Sequence, residues 1–261
     1  MLGKLFKYDF QWINKASCVY FVLLVLVSFA TRIVESIDQT LFLVIVDKIL
    51  SSMFIGCAVS TLITCIMRVW IRFINSVYKD ESYLTHTLPV TKNQIFSSKV
   101  LSGIVSLIVS VLVIVVCFSF VYLRKETIDS FRIMWQSLVE AYNGVFAVCF
   151  VVGIVLLISL ETIYLMMSGI FGIVIGYRSN NFKTIKAIVA GIGSYSLLSA
   201  MSFIIVFLVS KSIDYDIIGN GFPTMNYISI LGLLSLIIYF MYDAIYYFLA
   251  KKLLNKGVNV E

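Results

Sequence analysis

Two acidic residues stand inside long apolar runs, Glu161 in LLISLETIYL and Asp243 in YFMYDAIYYF. An ionised carboxylate at the centre of a hydrocarbon layer costs about 2.5 to 3.5 kcal/mol on the mildest insertion scale, so each acid needs a partner or a task. For Glu161 two readings stand: a cavity-facing group that contacts a cationic substrate, or a structural hydrogen bond or pairing between helices. Asp243 lies among Tyr239, Tyr242, Tyr246 and Tyr247 near the end of its run, and an aromatic interface belt with local partners accounts for it.

A second set of residues forms a stripe. Cys57, Ser60, Thr61, Thr64, Cys65, Arg68 and Arg72 recur at steps of three and four, which places them on one side of a helix. Such a stripe should not face lipid; it either packs against another helix of the chain or lines a conduit or a dimer seam. Gly191, Ser194, Ser199 and Ser202 repeat the pattern more weakly, and Gly172 with Gly176 makes a GxxxG pair. Nearer the start, helical projection puts Asp9 in the middle of an apolar face, where it must meet protein rather than acyl chains. The cations expected at the same depth are Arg68 and Arg72.

Other chemistries lack their residues. No G-x-x-x-x-G-K-[ST] phosphate cradle occurs, so the chain is not expected to hydrolyse ATP alone. The single histidine, His86, and five cysteines without a CxxC pair suggest neither a zinc site nor a disulfide framework; Cys18, Cys57, Cys65, Cys117 and Cys149 read as small packing residues. No metal, no resident cofactor and no enzyme activity are expected. The net charge of +6 is spread over chain ends and loops without a Lys/Arg cluster, which argues against nucleic acid.

The elements that carry these residues follow from composition. Of 261 residues, 61% are hydrophobic and 13% charged, and the mean hydropathy is +1.00; this is the composition of an all-α integral membrane protein. Residues 1–15 place Leu2, Leu5, Phe6, Phe10, Trp12 and Ile13 on one helical face and Lys4, Lys7, Gln11, Asn14 and Lys15 on the other, as in an amphipathic elbow helix lying at the interface. Ser28-Phe29-Ala30 has the small-x-small form of a signal-peptide cleavage site, but the amphipathic pattern is better made than a leader needs. Six spans are expected, over residues 17–34, 49–70, 100–123, 144–176, 185–209 and 227–250. Residues 41–46 either extend the second or lie on the surface. The fourth, at 33 residues, is too long for the bilayer and must tilt, protrude or break. Fourteen of the 20 Lys and Arg lie with the termini and the loops after spans two and four, which puts both termini in the cytoplasm. Only short segments remain on the other side, including residues 212–225.

One loop, residues 73–99, is cytoplasmic in this topology. Asp80, Glu81 and Ser82 suit a helix start, and Pro89 disfavours helix at the residue before it, so a helix of about two turns is expected at Tyr83 to Leu88. Thr91 and Gln94 have the T-x-x-Q spacing of a capping box, which starts a new long helix.

The stretch SYLTHTLPVTKNQIFSSKVL resembles the Y-L-T-x-T-L-P-V-[ST]-x-x-Q-x-x-x-S-K segment of bacterial ABC-2-type transporter permeases, and MLGKLFKYDF is similar to their N-termini. The resemblance implies a type V ABC exporter permease fold in the bacterial cytoplasmic membrane, with two permease subunits, identical or related. A separate ABC ATP-binding subunit would bind the ATP and Mg. It also implies that the loop helix between spans two and three is a coupling helix that docks on that subunit. The matching positions are Tyr83, Leu84, Thr85, Thr87, Leu88, Pro89 and Val90. Permeases of this kind export amphipathic or antimicrobial peptides, including phenol-soluble-modulin-type toxins, and others move lipids or drugs; peptide export is the expectation. The rival is a non-transporting membrane protein, an immunity or sensor subunit that uses the same loop to recruit a partner.

Overall fold

A computed structural model describes residues 2–37, 40–79, 81–87, 89–122, 125–142, 144–179, 181–212 and 225–256. All regular structure among them is helical: α1 (Leu2–Glu35), α2 (Leu41–Val77), α3 (Ser82–Thr87), α4 (Lys92–Tyr122), α5 (Lys125–Tyr142), α6 (Gly144–Gly176), α7 (Lys183–Ser212) and α8 (Met225–Asn255). Six of these, α1, α2, α4, α6, α7 and α8, are long and apolar enough to cross a membrane. The chain is a multi-pass membrane protein. In hydrocarbon only a helix satisfies its own backbone N-H and C=O groups, which is why the apolar runs form helices with so little sequence punctuation.

The expected elbow is not a separate element. Residues 2–15 are the first turns of α1, whose 34 residues reach about 51 Å at 1.5 Å each. No Gly or Pro stands between Trp12 and Leu24 to end the helix. The buried positions Asp9, Ile13, Ser17, Leu24, Ser28 and Thr31 continue in one helical phase, so a single face serves the whole length. Similarly, residues 41–46 extend α2, and the over-long fourth span is one unbroken helix of 33 residues. The connection between spans three and four, expected as a short segment, holds a helix, α5. This helix is amphipathic: Ile128, Phe131, Trp135 and Leu138 follow the three- and four-residue steps of one face, with Arg132, Gln136 and Glu140 opposite.

The chain divides into two compact units, Met1–Ser76 with Leu84–Ile133, and Val77–Tyr83 with Met134–Glu261. In the first, α1 packs closely along α4. Serines of α4 allow the approach: Ser98, Ser102, Ser106 and Ser110 recur every fourth residue and are all buried. Farther along, Leu24, Val27, Phe54, Cys117 and Val121 form the apolar core of this unit. In the second unit α6 packs closely against both α7 and α8. Tyr78, just past α2, is buried in this unit with its ring 4.8 Å from that of Tyr177. Burial pushes its phenol above the ordinary range, and the nearby Arg178 works in the opposite direction.

Glycine decides the α6–α7 contact. A Cβ built on Gly172 would stand 2.5 Å from the carbonyl oxygen of Ala187 and 2.6 Å from Cα of Gly191, both rigid backbone. One on Gly176 would collide with the backbone of Ala187. One on Gly191 meets nothing nearer than the Ser168 carbonyl at 3.5 Å. Gly172→Ala is therefore expected to lower stability by about 1 to 3 kcal/mol through overpacking. Gly191→Ala should leave it unchanged or slightly raised, since Ala is favoured over Gly in a helix by about 1 kcal/mol. Thermal unfolding in detergent separates the two, and equal effects would contradict the contact.

Candidate functional site

The loop between α2 and α4 is held at both ends. Arg72 Nε, near the end of α2, donates to Oδ1 of Asp9 at 2.7 Å. Lys99 Nζ, two turns into α4, donates to Oδ1 at 3.2 Å and to Oδ2 at 3.3 Å of the same carboxylate. Asp9 is 2% exposed and Lys99 4%, so this ion cluster is screened from solvent by protein. Beside it, Phe73 meets Phe96 edge-on, with ring centroids 6.0 Å apart. Trp12 of α1 supplies a π face to two guanidinium groups, Arg68 at 5.5 Å and Arg72 at 5.3 Å from its ring centroid. Of the two arginines expected opposite Asp9, Arg72 makes the ion pair and Arg68 lies on Trp12. Lys99 was missed. Its signal was present, one turn after Gln94 on a helix whose start the capping box had already placed.

Within the loop, Ser82 N donates to the Lys79 carbonyl at 2.7 Å, and α3 follows over six residues. Tyr83 is 75% exposed. Leu84 and Thr85 are helical in backbone, Thr87 is exposed and closes α3, and Leu88 lies outside the described residues. Pro89 is exposed and Val90 half-buried in the bend that follows. Thr91 and Gln94 form the capping box: Gln94 N donates to Thr91 Oγ1 at 3.3 Å, and Thr91 N to Gln94 Oε1 at 3.2 Å. The sequence thus places α4's first turn by chemistry local to it.

The small-residue stripe of α2 is used inside the chain at its centre. Thr61 and Cys65 are 1% and 0% exposed, which corrects their expected place at a conduit or dimer seam. At Cys65 the covering helix is α4, whose Ser110 is hydrogen-bonded to the thiol. Cys57, Ser60 and Thr64 are half-buried. Ser60 and Thr61 hydroxyls donate to the Cys57 carbonyl at 2.9 and 2.7 Å, so their polarity is spent on their own helix. In α7, Ser199 and Ser202 are half-buried, and the Ser202 hydroxyl donates to the Ser199 carbonyl at 2.7 Å.

The second unit brings the two intramembrane acids together. Tyr195 of α7 donates its hydroxyl to Oε1 of Glu161 at 2.7 Å. Tyr239 of α8 faces the same carboxylate, and Asp243, one turn farther along α8, lies within electrostatic range of it. Tyr164, fully buried one turn after Glu161, donates to the Tyr195 carbonyl at 2.8 Å. The rings of Tyr195, Tyr239, Tyr242 and Tyr246 stand 4.9, 5.7, 5.9 and 5.6 Å from its own. The helix-to-helix hydrogen bond expected as one reading of Glu161 is thus present. Asp243 is not simply a belt residue: its Oδ1 is buried and accepts no hydrogen bond among the described residues.

Removing the Asp9 carboxylate strips two cations of a shared partner in a water-poor site. Asp9→Asn is expected to cost about 3 kcal/mol or more, above the 0 to 1 kcal/mol or so of an exposed bridge. Double-mutant cycles in detergent should return coupling of Asp9 to Arg72 (Arg72→Gln) and to Lys99 (Lys99→Gln), and much less to Arg68 (Arg68→Gln). Zero coupling to both Arg72 and Lys99 would remove the clamp.

Compared with protein-family models, with curated proteins and with solved structures, this chain has no match.

Proposed function

We propose that this chain is the permease subunit of an ATP-driven exporter of the ABC-2 type, paired with a second permease subunit and served by a separate ATP-binding subunit. It resides in the bacterial cytoplasmic membrane with both termini in the cytoplasm, the orientation favoured by its Lys and Arg distribution. ATP and Mg belong to the partner, because this chain lacks a phosphate cradle. Amphipathic peptides are the cargo the sequence resemblance favours.

The observation that carries the reading is the clamped loop. A short helix that transmits force must not be attached to loose ends. Here the strands of chain entering and leaving it are fastened to each other by Phe73 and Phe96, and to α1 by Arg72, Lys99 and the shared Asp9. The capping box then makes the exit from the loop continuous with a spanning helix. On this reading a displacement of α3 is passed on to α4.

Co-expression with a neighbouring reading frame, if one carries the G-x-x-x-x-G-K-[ST] cradle and no spans, tests the docking role. The exposed Tyr83 and its neighbour Leu84 are the apolar anchors of the motif. Tyr83→Asp and Leu84→Asp should each cost about 2 kcal/mol of binding, roughly thirtyfold in affinity. Both variants should insert normally yet lose the ATPase during purification. Undiminished co-purification of both would reject the coupling role.

A further inference from the structure

Between α6, α7 and α8 lies a cavity of about 610 Å³, within the second unit. Its wall is almost wholly apolar, with Phe150 and Leu157 from α6, Val206 from α7, and Gly232, Ser235 and Leu236 from α8 among its lining residues. The same helix faces lead from it to the acids. Glu161 follows Leu157 by four residues, Tyr239 follows Ser235 by four, and Asp243 follows Tyr239 by four, so each step keeps to one side of its helix. The apolar cavity thus ends about one turn from a carboxylate cluster set among tyrosine rings.

That cluster lacks a counter-charge from its own helices. No Lys or Arg occurs in α6; those of α7 are Lys183, Lys186 and Lys211, at its ends, and those of α8 are Lys251 and Lys252. Lys251 lies two turns beyond Asp243 and sits over the Tyr247 ring at 5.5 Å. Glu161 is met by phenols, and Oδ1 of Asp243 is buried without a hydrogen bond among the described residues. Tyr242 is a further independent sign. It is 8% exposed, and its hydroxyl has no hydrogen-bond partner among the described residues. Buried polar atoms left this way are costly, and their place beside an apolar cavity marks a ligand site.

We propose that the cavity and the acids together form one binding site for a cationic amphiphile. Its ammonium head is held between Glu161 and Asp243, against the faces of Tyr239 and Tyr242, and its apolar chain fills the cavity. Carboxylates supply the charge, tyrosine faces attract a cation without demanding directional hydrogen bonds, and the apolar wall selects for a chain attached to it. A neutral chain would leave the acids uncompensated, and an anionic head would be repelled. The site belongs to this chain alone and is measured without an ATPase, so it stands or falls separately from the exporter reading.

The test is binding of dodecyltrimethylammonium to the full chain in phosphatidylcholine nanodiscs, read as a saturable rise in unfolding temperature and by calorimetric titration. A neutral dodecyl ethylene-glycol ether and dodecyl sulfate are the matched controls. The ammonium probe should bind saturably and the controls should not. Glu161→Gln should weaken it by about tenfold or more, the equivalent of about 1.4 kcal/mol. Gly232→Leu fills the cavity from a position where an added Cβ meets nothing within 4 Å, so the fold is kept while the chain pocket is lost. It too should weaken binding at least about tenfold, and it decides the matter if Glu161→Gln does not fold. Equal binding of the neutral ether would reduce the cavity to a non-specific apolar groove and overturn the proposal. So would full affinity in Gly232→Leu, or in a folded Glu161→Gln.

Discussion

A carboxylate withdrawn from water must be given cations or it drives its helix back toward water, and Asp9 meets that constraint with Arg72 of α2 and Lys99 of α4. These contacts join residues 63 and 90 positions apart in the chain, so three helices are tied at one point. Much else in the first unit follows from this tie. It holds the first turns of α1 against protein, so that the segment continues as helix instead of turning along the membrane surface. It also sets the two ends of the α2–α4 loop beside each other, where Phe73 can reach Phe96.

The rest of the packing is governed by the absence of a hydrophobic drive between helices in lipid. Lipid tails are as apolar as Leu, so close approach and local hydrogen bonds replace burial as the reason to associate. The two units solve this differently. The first uses hydroxyls: the α4 serines let α1 close in, and Asn14 of α1 donates to Ser106 at 3.0 Å. The second uses bare backbone at Gly172 and Gly176, and aromatic area around Tyr164.

The two units also treat buried acid differently. Asp9 is matched by two basic side chains from its own unit and becomes a structural fixture. Glu161 meets phenols, which donate hydrogen bonds but carry no positive charge, and Oδ1 of Asp243 has no hydrogen bond among the described residues. A carboxylate matched by cations is spent on architecture, whereas one matched by neutral donors keeps its affinity for a cation.

Much of the architecture was legible locally. Apolar runs long enough to span a bilayer specify helices, because backbone groups in hydrocarbon have no other means of satisfaction. The start of α4 was fixed by Thr91 and Gln94, whose side chains reach only their own turn. Asp9's need for a partner was equally plain from its place on an apolar face. The sequence did not decide which cation would answer, since Arg68, Arg72 and Lys99 all lie near that depth and only packing brings Arg72 and Lys99 to the carboxylate while both arginines lie over Trp12. The role of the α2 stripe was open for the same reason: steps of three and four identify a face without naming its neighbour, and the burial of Thr61 and Cys65, with Ser110 of α4 on the Cys65 thiol, is set by tertiary contact. The unbroken run from the supposed elbow into the first span was likewise settled by a buried face that keeps its phase from Asp9 to Thr31. Sequence by itself thus determined the helices and the residues that could not be left alone in lipid. Only the tertiary structure decided their partners, because charge pairing and close packing depend on distances between segments that local chemistry does not set.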